Sequence, residues 1–466
     1  MHFARPHRTL ILSFMFLLTT LTSISITSAQ GAADEIAGIW RTEGYAWVFD
    51  ISSTSVNAYQ VTATTCIAVI QSEDITYASD SVVVHQAQFP GLAALLDDPS
   101  DVNLTLDNDR LVFDDGAIVP LYATRIDALP ASCADGSDET NDPEVNFGAY
   151  WKIFAENYAF FDLYGVDWQT VYDTYRPQVT ADTTDEELFD ILQSTLSESG
   201  ITDAHVNIIA SPTMVFSAGQ YADWTQDQDD EVIASYASLI AEKYLIDEPK
   251  MLANDQIIYR HLSPTVGYIN LLSMYQFSPD GDDLAALADV MPVIQADLAD
   301  TDTIVIDVRF NPGGSDANAV YIAGYFTDES TLAFSKQAWE GTKFLDLHDV
   351  TIEPVDNPHF AQPKVYLLTS NFTTSAGEVF TMTMTALPQV TTVGETTQGA
   401  FSDILPVFLP NGWFATLSNE RYVSHDGQVY ESLGIPPAVE APMSYEALQA
   451  GSDPVLDYIL SQINED

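Results

Sequence analysis

From Pro264 onward the sequence alternates two periodicities, and that alternation limits the fold more than any other feature. Val266 to Leu272, Thr303 to Val308 and Val365 to Thr369 are short apolar runs rich in β-branched and aromatic residues, which suit buried strands. Asp283 to Leu298, Asp316 to Phe326 and the residues after Ser375 repeat their apolar positions at helical spacing. Strands taken in turn with helices predict α/β architecture around a largely parallel sheet with right-handed crossovers.

The last strand–helix step, Lys364 to Glu378 (KVYLLTSNFTTSAGE), places Ser375 where a strand turns into a helix. The first N–H groups of a helix have no intrahelical partner and lie at the positive end of its dipole, so the Ala376 N–H could hold an oxyanion forming beside Ser375. On this motif alone, an N-cap serine is the commoner use of such a residue. The second informative step is Ile304 to Gly314 (IVIDVRFNPGG), where a strand runs through Asp307 and Arg309 into a Pro-Gly-Gly turn. Such a turn exposes backbone N–H groups that no side chain obstructs, and beside the Ser375 helix it would supply the rest of an oxyanion hole; alone, it serves equally as a tight turn.

The N-terminus carries Arg5 and Arg8, the apolar run Leu10 to Leu18, and small or polar residues to Ala29. Residues 1–29 are expected to be a secretory signal, with an apolar core too short to span a bilayer, so the mature protein is expected to be exported, periplasmic or extracellular, with no integral membrane segment. The chain has 15 Lys+Arg against 68 Asp+Glu, and removing Arg5 and Arg8 takes the formal net charge from −53 to −55. A polyanion of this size will not bind nucleic acid through bulk electrostatics. Its charges are dispersed among 46% hydrophobic residues, so they describe an acidic surface on globular domains. In an oxidising compartment the two cysteines, Cys66 and Cys133, are expected to form a disulfide.

Residues 30–140 hold short β-type runs separated by turn signals and predict a small β-rich, antiparallel domain. Residues 141–262 read as a helical region, with a capping box at Thr184–Glu187 and a stripe from Val232 to Tyr244; His205 lies between these, just past a helix end. The α/β domain spans 263–445 and a helical segment closes the chain over 446–466. Asp280-Gly-Asp-Asp283 lacks EF-hand spacing and reads as a turn at a helix start; no metal and no cofactor is expected.

Taken together, VIDVRFNPGG, LLTSNFTTSAGE, VGETTQGA and YESLGIPP resemble the tail-specific or C-terminal processing serine peptidases, and the FAENYAFFDLYGVDW and TDAHV segments resemble the tricorn-core-like branch of that superfamily. The resemblance covers about Asn146 to Met443. It implies a ClpP/crotonase-like catalytic fold, peptide or protein substrates, Ser375 as nucleophile, and Gly313, Gly314 and Ala376 as the oxyanion hole. The processing-peptidase branch takes its base from a lysine in a GETTxGK-like motif; here that position is Ala400, and no lysine follows Lys364. The tricorn-like branch implies instead His205 as general base and Glu431 as its carboxylate. That branch can place a serine before the histidine, where this chain has Ala204, so a link to Glu431 must be direct, through water, or through another hydroxyl. A histidine can activate a serine hydroxyl near neutral pH. The rival expectations are a catalytically silent relative that binds ligands or peptides, and an esterase or amidase on the same machinery.

Overall fold

The computed structural model describes residues 35–78, 80–87, 100–114, 117–134, 139–219 and 229–463. The expected secretory segment, 1–29, lies outside them. Two units are present. Among the described residues, the first comprises those within 35–114, 120–140 and 410–412, and the second those within 117–119, 141–409 and 413–463. Of the residues expected in the β-rich domain over 30–140, 117–119 group instead with the second unit, and a three-residue piece from far downstream joins the first, where Thr140 N–H donates to Pro410 O at 3.0 Å.

The first unit is an antiparallel nine-stranded sheet. Its first and last strands, Gly38–Thr42 and Leu121–Ile126, pair with each other in the middle of the order. Alternating burial along Val56–Val61 and Ser81–Ala87 puts one face on an apolar core. Cys66 and Cys133 are buried and joined by a disulfide that closes 67 residues of chain.

The second unit is organised by a seven-stranded sheet. Val266–Leu271, Thr303–Asp307, Lys364–Thr369, Val390–Gly394 and Val439–Glu440 run parallel, as the alternation predicts. Two strands that start within the expected helical region, Lys250–Leu252 and Ile257–Ser263, add antiparallel at one edge, so the sheet begins before residue 263. Ile304, Ile306, Val365 and Leu367 face a core made with Leu287, Met291, Ile322, Val379 and Phe380. Val305, Tyr366 and Leu368 face the opposite core, against Val232, Tyr236, Leu456 and Ile459. Helices on both faces explain why these strands are continuous apolar runs. Among the described residues no helix is long and apolar enough to cross a membrane.

The capping box forms: Thr184 Oγ1 accepts from Glu187 N–H, and the Glu187 carboxylate accepts from Thr184 N–H at 2.9 Å. The Asp280–Asp283 turn starts the Asp283–Asp297 helix, with Asp282 accepting from Ala285 N–H. Asp403 to Tyr430 divides between two small sheets. Ile404–Phe408 and Phe414–Ser418 join Asn207–Ser211 and Met214–Ser217, while Glu420–Ser424 pairs with Thr331–Ala338. This division ties the strand just after His205 to Phe414–Ser418.

Candidate active site

The parallel strands end together, and the two segments singled out in the sequence leave adjacent strands there. Thr303–Asp307 pairs in register with Lys364–Thr369, so the turn after one meets the turn after the other. Arg309 is fully buried and fixes the first turn: Nε and Nη2 donate to Asp307 at 3.0 and 2.7 Å, and Nη1 donates to Asp453 at 3.1 Å. Asp453 is the partner sequence reasoning missed, since it comes from the last helical segment. Removing one member of such a buried pair leaves an uncompensated charge, at a cost of about 3–5 kcal/mol.

Ser375 does not cap its helix. Its side chain accepts no capping bond, and its backbone sits at φ 54°, ψ −128°. A non-glycine residue held there is strained by about 1–3 kcal/mol, and the surroundings that hold it are visible: Ser375 N–H donates to Ala400 O at 3.0 Å, and Thr374 N–H donates to Asn311 O at 3.0 Å. The glycine turn lies directly against it. A Cβ on Gly313, where φ is +104°, would fall 2.6 Å from Ser375 Cβ and 3.0 Å from Ser375 Oγ. One on Gly314, where φ is +141°, would fall 2.4 Å from the Met274 carbonyl carbon.

The three expected oxyanion donors separate here. Gly313 N–H already donates to Asn311 Oδ1 at 2.9 Å, so Gly313 supplies space and not a donor. Gly314 N–H and Ala376 N–H donate to no group among the described residues. Asn311 Nδ2 donates to Leu271 O, and Met274 N–H to Gly313 O, which ties the turn to the neighbouring strand.

A loop, residues 399–403, leads from Ser375 toward His205, and two buried glutamates hold it. Gly399 and Ala400 N–H donate to Glu378 Oε1 and Oε2 at 2.7 and 2.8 Å, and Phe401 and Ser402 N–H both donate to Glu431 Oε2 at 3.1 Å. Four consecutive backbone donors thus end on two carboxylates. Burial pushes Glu378 up to about 7 against these hydrogen bonds, and burial with the charges of Asp203 and Glu378 pushes Glu431 well above the ordinary range. The segment bearing Glu431 is stitched to the same loop by Ser432 N–H to Gly399 O at 2.7 Å and Ile435 N–H to Thr397 Oγ1 at 2.8 Å. Glu378 was not singled out in the sequence; its signal was its place in the first turn of the helix, three residues after Ser375.

His205 is 4% exposed, in the turn before the Asn207–Ser211 strand. Its carbonyl accepts from Thr416 Oγ1 at 2.6 Å, and its N–H donates to Asp203 Oδ1 at 2.9 Å. Tyr158 hydroxyl donates to the other Asp203 oxygen at 3.1 Å. Neither ring nitrogen reaches a partner in hydrogen-bond geometry among the described residues. Burial pushes the imidazole below its ordinary value, opposed by the charges of Asp203 and Asp403 and by the Ser402 backbone. The carboxylate charges that favour the imidazolium are those of Asp203 and Asp403, while Glu431 Oε1 is buried with no hydrogen-bond partner among the described residues. Two other histidines have surface roles: His85 pairs with Asp101 at 3.0 Å and His261 with Asp300 at 3.2 Å.

Residues 265–441 match the model of peptidase family S41, and residues 140–197 match that of the tricorn protease C1 domain. A crystal structure described as a candidate peptidase from Parabacteroides merdae is similar at 28% identity and a TM-score of 0.59, covering 69% of this chain and 97% of that one. Mature CPAF complexed with lactacystin shares the fold at 11% identity and a TM-score of 0.50, covering 70% of this chain and 99% of that one.

Proposed function

We propose, from the premise that this chain carries a peptidase family S41 domain and is a serine-type peptidase, that it is exported and cleaves peptide bonds through an acyl-enzyme on Ser375 with His205 as general base. The observation that carries this reading is the strained backbone of Ser375 beside two undirected N–H groups, those of Gly314 and Ala376. A hydrogen-bond donor aimed at a developing oxyanion contributes about 3–4 kcal/mol to the transition state.

In the first half-reaction Ser375 Oγ adds to the scissile carbonyl carbon as His205 takes the hydroxyl proton, and the carbonyl oxygen becomes an oxyanion facing the Gly314 and Ala376 N–H groups. Collapse breaks the C–N bond, and the imidazolium returns the proton to the leaving amine. Water then attacks the acyl-enzyme with His205 again as base, releasing the carboxylic acid and restoring Ser375. Ala400 stands where a processing-peptidase lysine would, and its peptide positions Ser375 through its carbonyl. Glu431 holds the 399–403 loop, whose Ala400 carbonyl accepts from Ser375 N–H, so its contribution is to position that loop. The signal-like N-terminus and the buried disulfide favour export.

The test is kinetic. Ser375→Ala and His205→Ala should each lower kcat/KM on a peptide substrate by about 10⁴-fold or more with folding intact, because the pair acts as a unit. Near-wild-type turnover by folded His205→Ala would assign the base elsewhere. Hydrolysis of esters without peptides, by the same Ser375-dependent route, would move the substrate class.

A further inference from the structure

Behind His205 lies a buried ionic cluster that the proposed chemistry does not use. Lys336, on the Thr331–Ala338 strand, is 2% exposed, and its ammonium contacts Asp403 at 2.5 Å and Glu420 at 2.7 Å. Tyr422, on the paired Glu420–Ser424 strand, donates to Asp316 at 2.6 Å, and Asp316 opens the helix that follows the glycine turn. One cation thus serves three carboxylates. Burial pushes Glu420 up to about 7 and Asp316 up to about 8, so both hold a proton more tightly than an ordinary carboxylate. Asp403 differs. Although burial opposes it, the charge of Lys336, whose ammonium donates to this carboxylate, holds it below the ordinary carboxylate range. It is also the carboxylate of the three with access to solvent, its side chain being 43% exposed.

Sheet register brings that anion to the histidine. Asn207 and Pro406 both stand opposite Thr416, in strands that flank Phe414–Ser418. Ile404 stands opposite Ser418, and counting back two residues from Asn207 puts His205 level with Ser418 as well. His205 and Asp403 therefore enter the same end of one small sheet, and Thr416 Oγ1 ties the His205 carbonyl there.

We propose that Asp403 is the anion facing the His205 imidazole from outside its own turn, and that Lys336 is a positioning residue that holds this anion and limits its pull on the imidazole proton. The proposal rests on His205 as base only for its catalytic consequence; the charge relation itself exists whatever His205 does. The charges that reach His205 are those of Asp203 on its own turn and Asp403 across the sheet, with Tyr158, Tyr164 and Glu431 acting on Asp203. Without Lys336, Asp403, the solvated member, loses the cation beside it and its charge is uncompensated. The imidazolium is then favoured. Without the Asp403 carboxylate, the imidazolium loses an anion and is disfavoured.

The experiment follows the His205 ring by NMR as pH is varied, using Ser375→Ala protein with isotopically labelled histidine, and in parallel the acid limb of kcat/KM with Ser375 intact. Lys336→Met should raise the His205 midpoint and Asp403→Asn should lower it, each by at least ~0.5 unit. That is below the ~1–3 units of a fully desolvated contact because Asp403 is partly solvated. The acid limb should move with the ring. Midpoints that stay put, or that shift the same way in both variants, overturn the proposal. If Lys336→Met fails to fold, Asp403→Asn decides alone, and an unchanged or raised midpoint overturns it. Opposite NMR shifts without movement of the acid limb would uphold the charge relation while removing His205 as base.

Discussion

Gly313→Ala is the most discriminating single perturbation of the site, because it adds one methyl group to the wall beside Ser375, the proposed nucleophile. The new Cβ would lie 2.6 Å from Ser375 Cβ and 3.0 Å from both Ser375 Oγ and Ala376 N. Carbon atoms need ~3.5–4.0 Å, so the two backbones must part by roughly 1 Å. Neither side can yield freely, since Gly313 is tied to Asn311 and Met274, and Ser375 to Ala400. A misplacement of about 1 Å at a reacting group costs about 10²-fold in rate. The φ of +104° adds backbone strain of about 1–3 kcal/mol, which should appear separately as a lower Tm. Gly281→Ala is the control, with φ +84° and nothing within 4 Å of its Cβ: it should lose stability and keep its rate. The assay is kcat/KM on a peptide, together with the rate of inactivation by a fluorophosphonate, both normalised to folded protein. A Gly313→Ala rate within about threefold of wild type would refute the contact as the reason for the glycine.

Three further outcomes follow from buried groups. Glu378, Glu420 and Asp316 are raised to about 7, about 7 and about 8, so their protonated forms favour the folded state. That stability is complete below the ordinary carboxylate pKa of ~4 and is lost as pH rises through ~7–8, so Tm at fixed ionic strength should fall from about pH 5.5 to about pH 8.5; a rising Tm across that window contradicts the assignment. Glu378→Gln presents one oxygen and one N–H₂ to two backbone donors, leaving a buried N–H unsatisfied at about 1–3 kcal/mol; kcat/KM should fall at least ~10-fold, and an unchanged value would show that the loop does not need this carboxylate. Cys66→Ala with Cys133→Ala should destabilise the first unit by about 4 kcal/mol, given the 67 residues enclosed, and leave fluorophosphonate labelling unchanged; coupled loss of labelling would contradict its confinement to that unit.

The parallel sheet was legible because Ile304–Val308 and Val365–Thr369 are buried on both faces, which favours near-continuous apolar runs such as these. The edge strands Lys250–Leu252 and Ile257–Ser263 were not, since charged and polar residues such as Lys250, Arg260 and His261 suit an edge as well as a loop. Ser375 and the glycine turn were visible as motifs, but their use depended on geometry: the strained φ of Ser375 set aside the cap, and the Asn311 bond removed Gly313 as a donor. The carboxylates around His205 were hidden for a different reason. Asp403 and Lys336 are 67 residues apart and meet only through strand pairing, which no local pattern encodes. Glu431 was found by resemblance, yet its carboxylate grips Phe401 and Ser402 N–H, a backbone contact with no sequence signature.

The central claim is that a His205-activated Ser375 carries the acyl group. Its most direct test is to react folded protein with a fluorophosphonate, digest it and locate the adduct by mass spectrometry. Labelling on the peptide containing Ser375, abolished by Ser375→Ala and slowed at least ~10³-fold by His205→Ala, is the predicted result. Labelling at another serine, or undiminished labelling of Ser375 in folded His205→Ala, would contradict it.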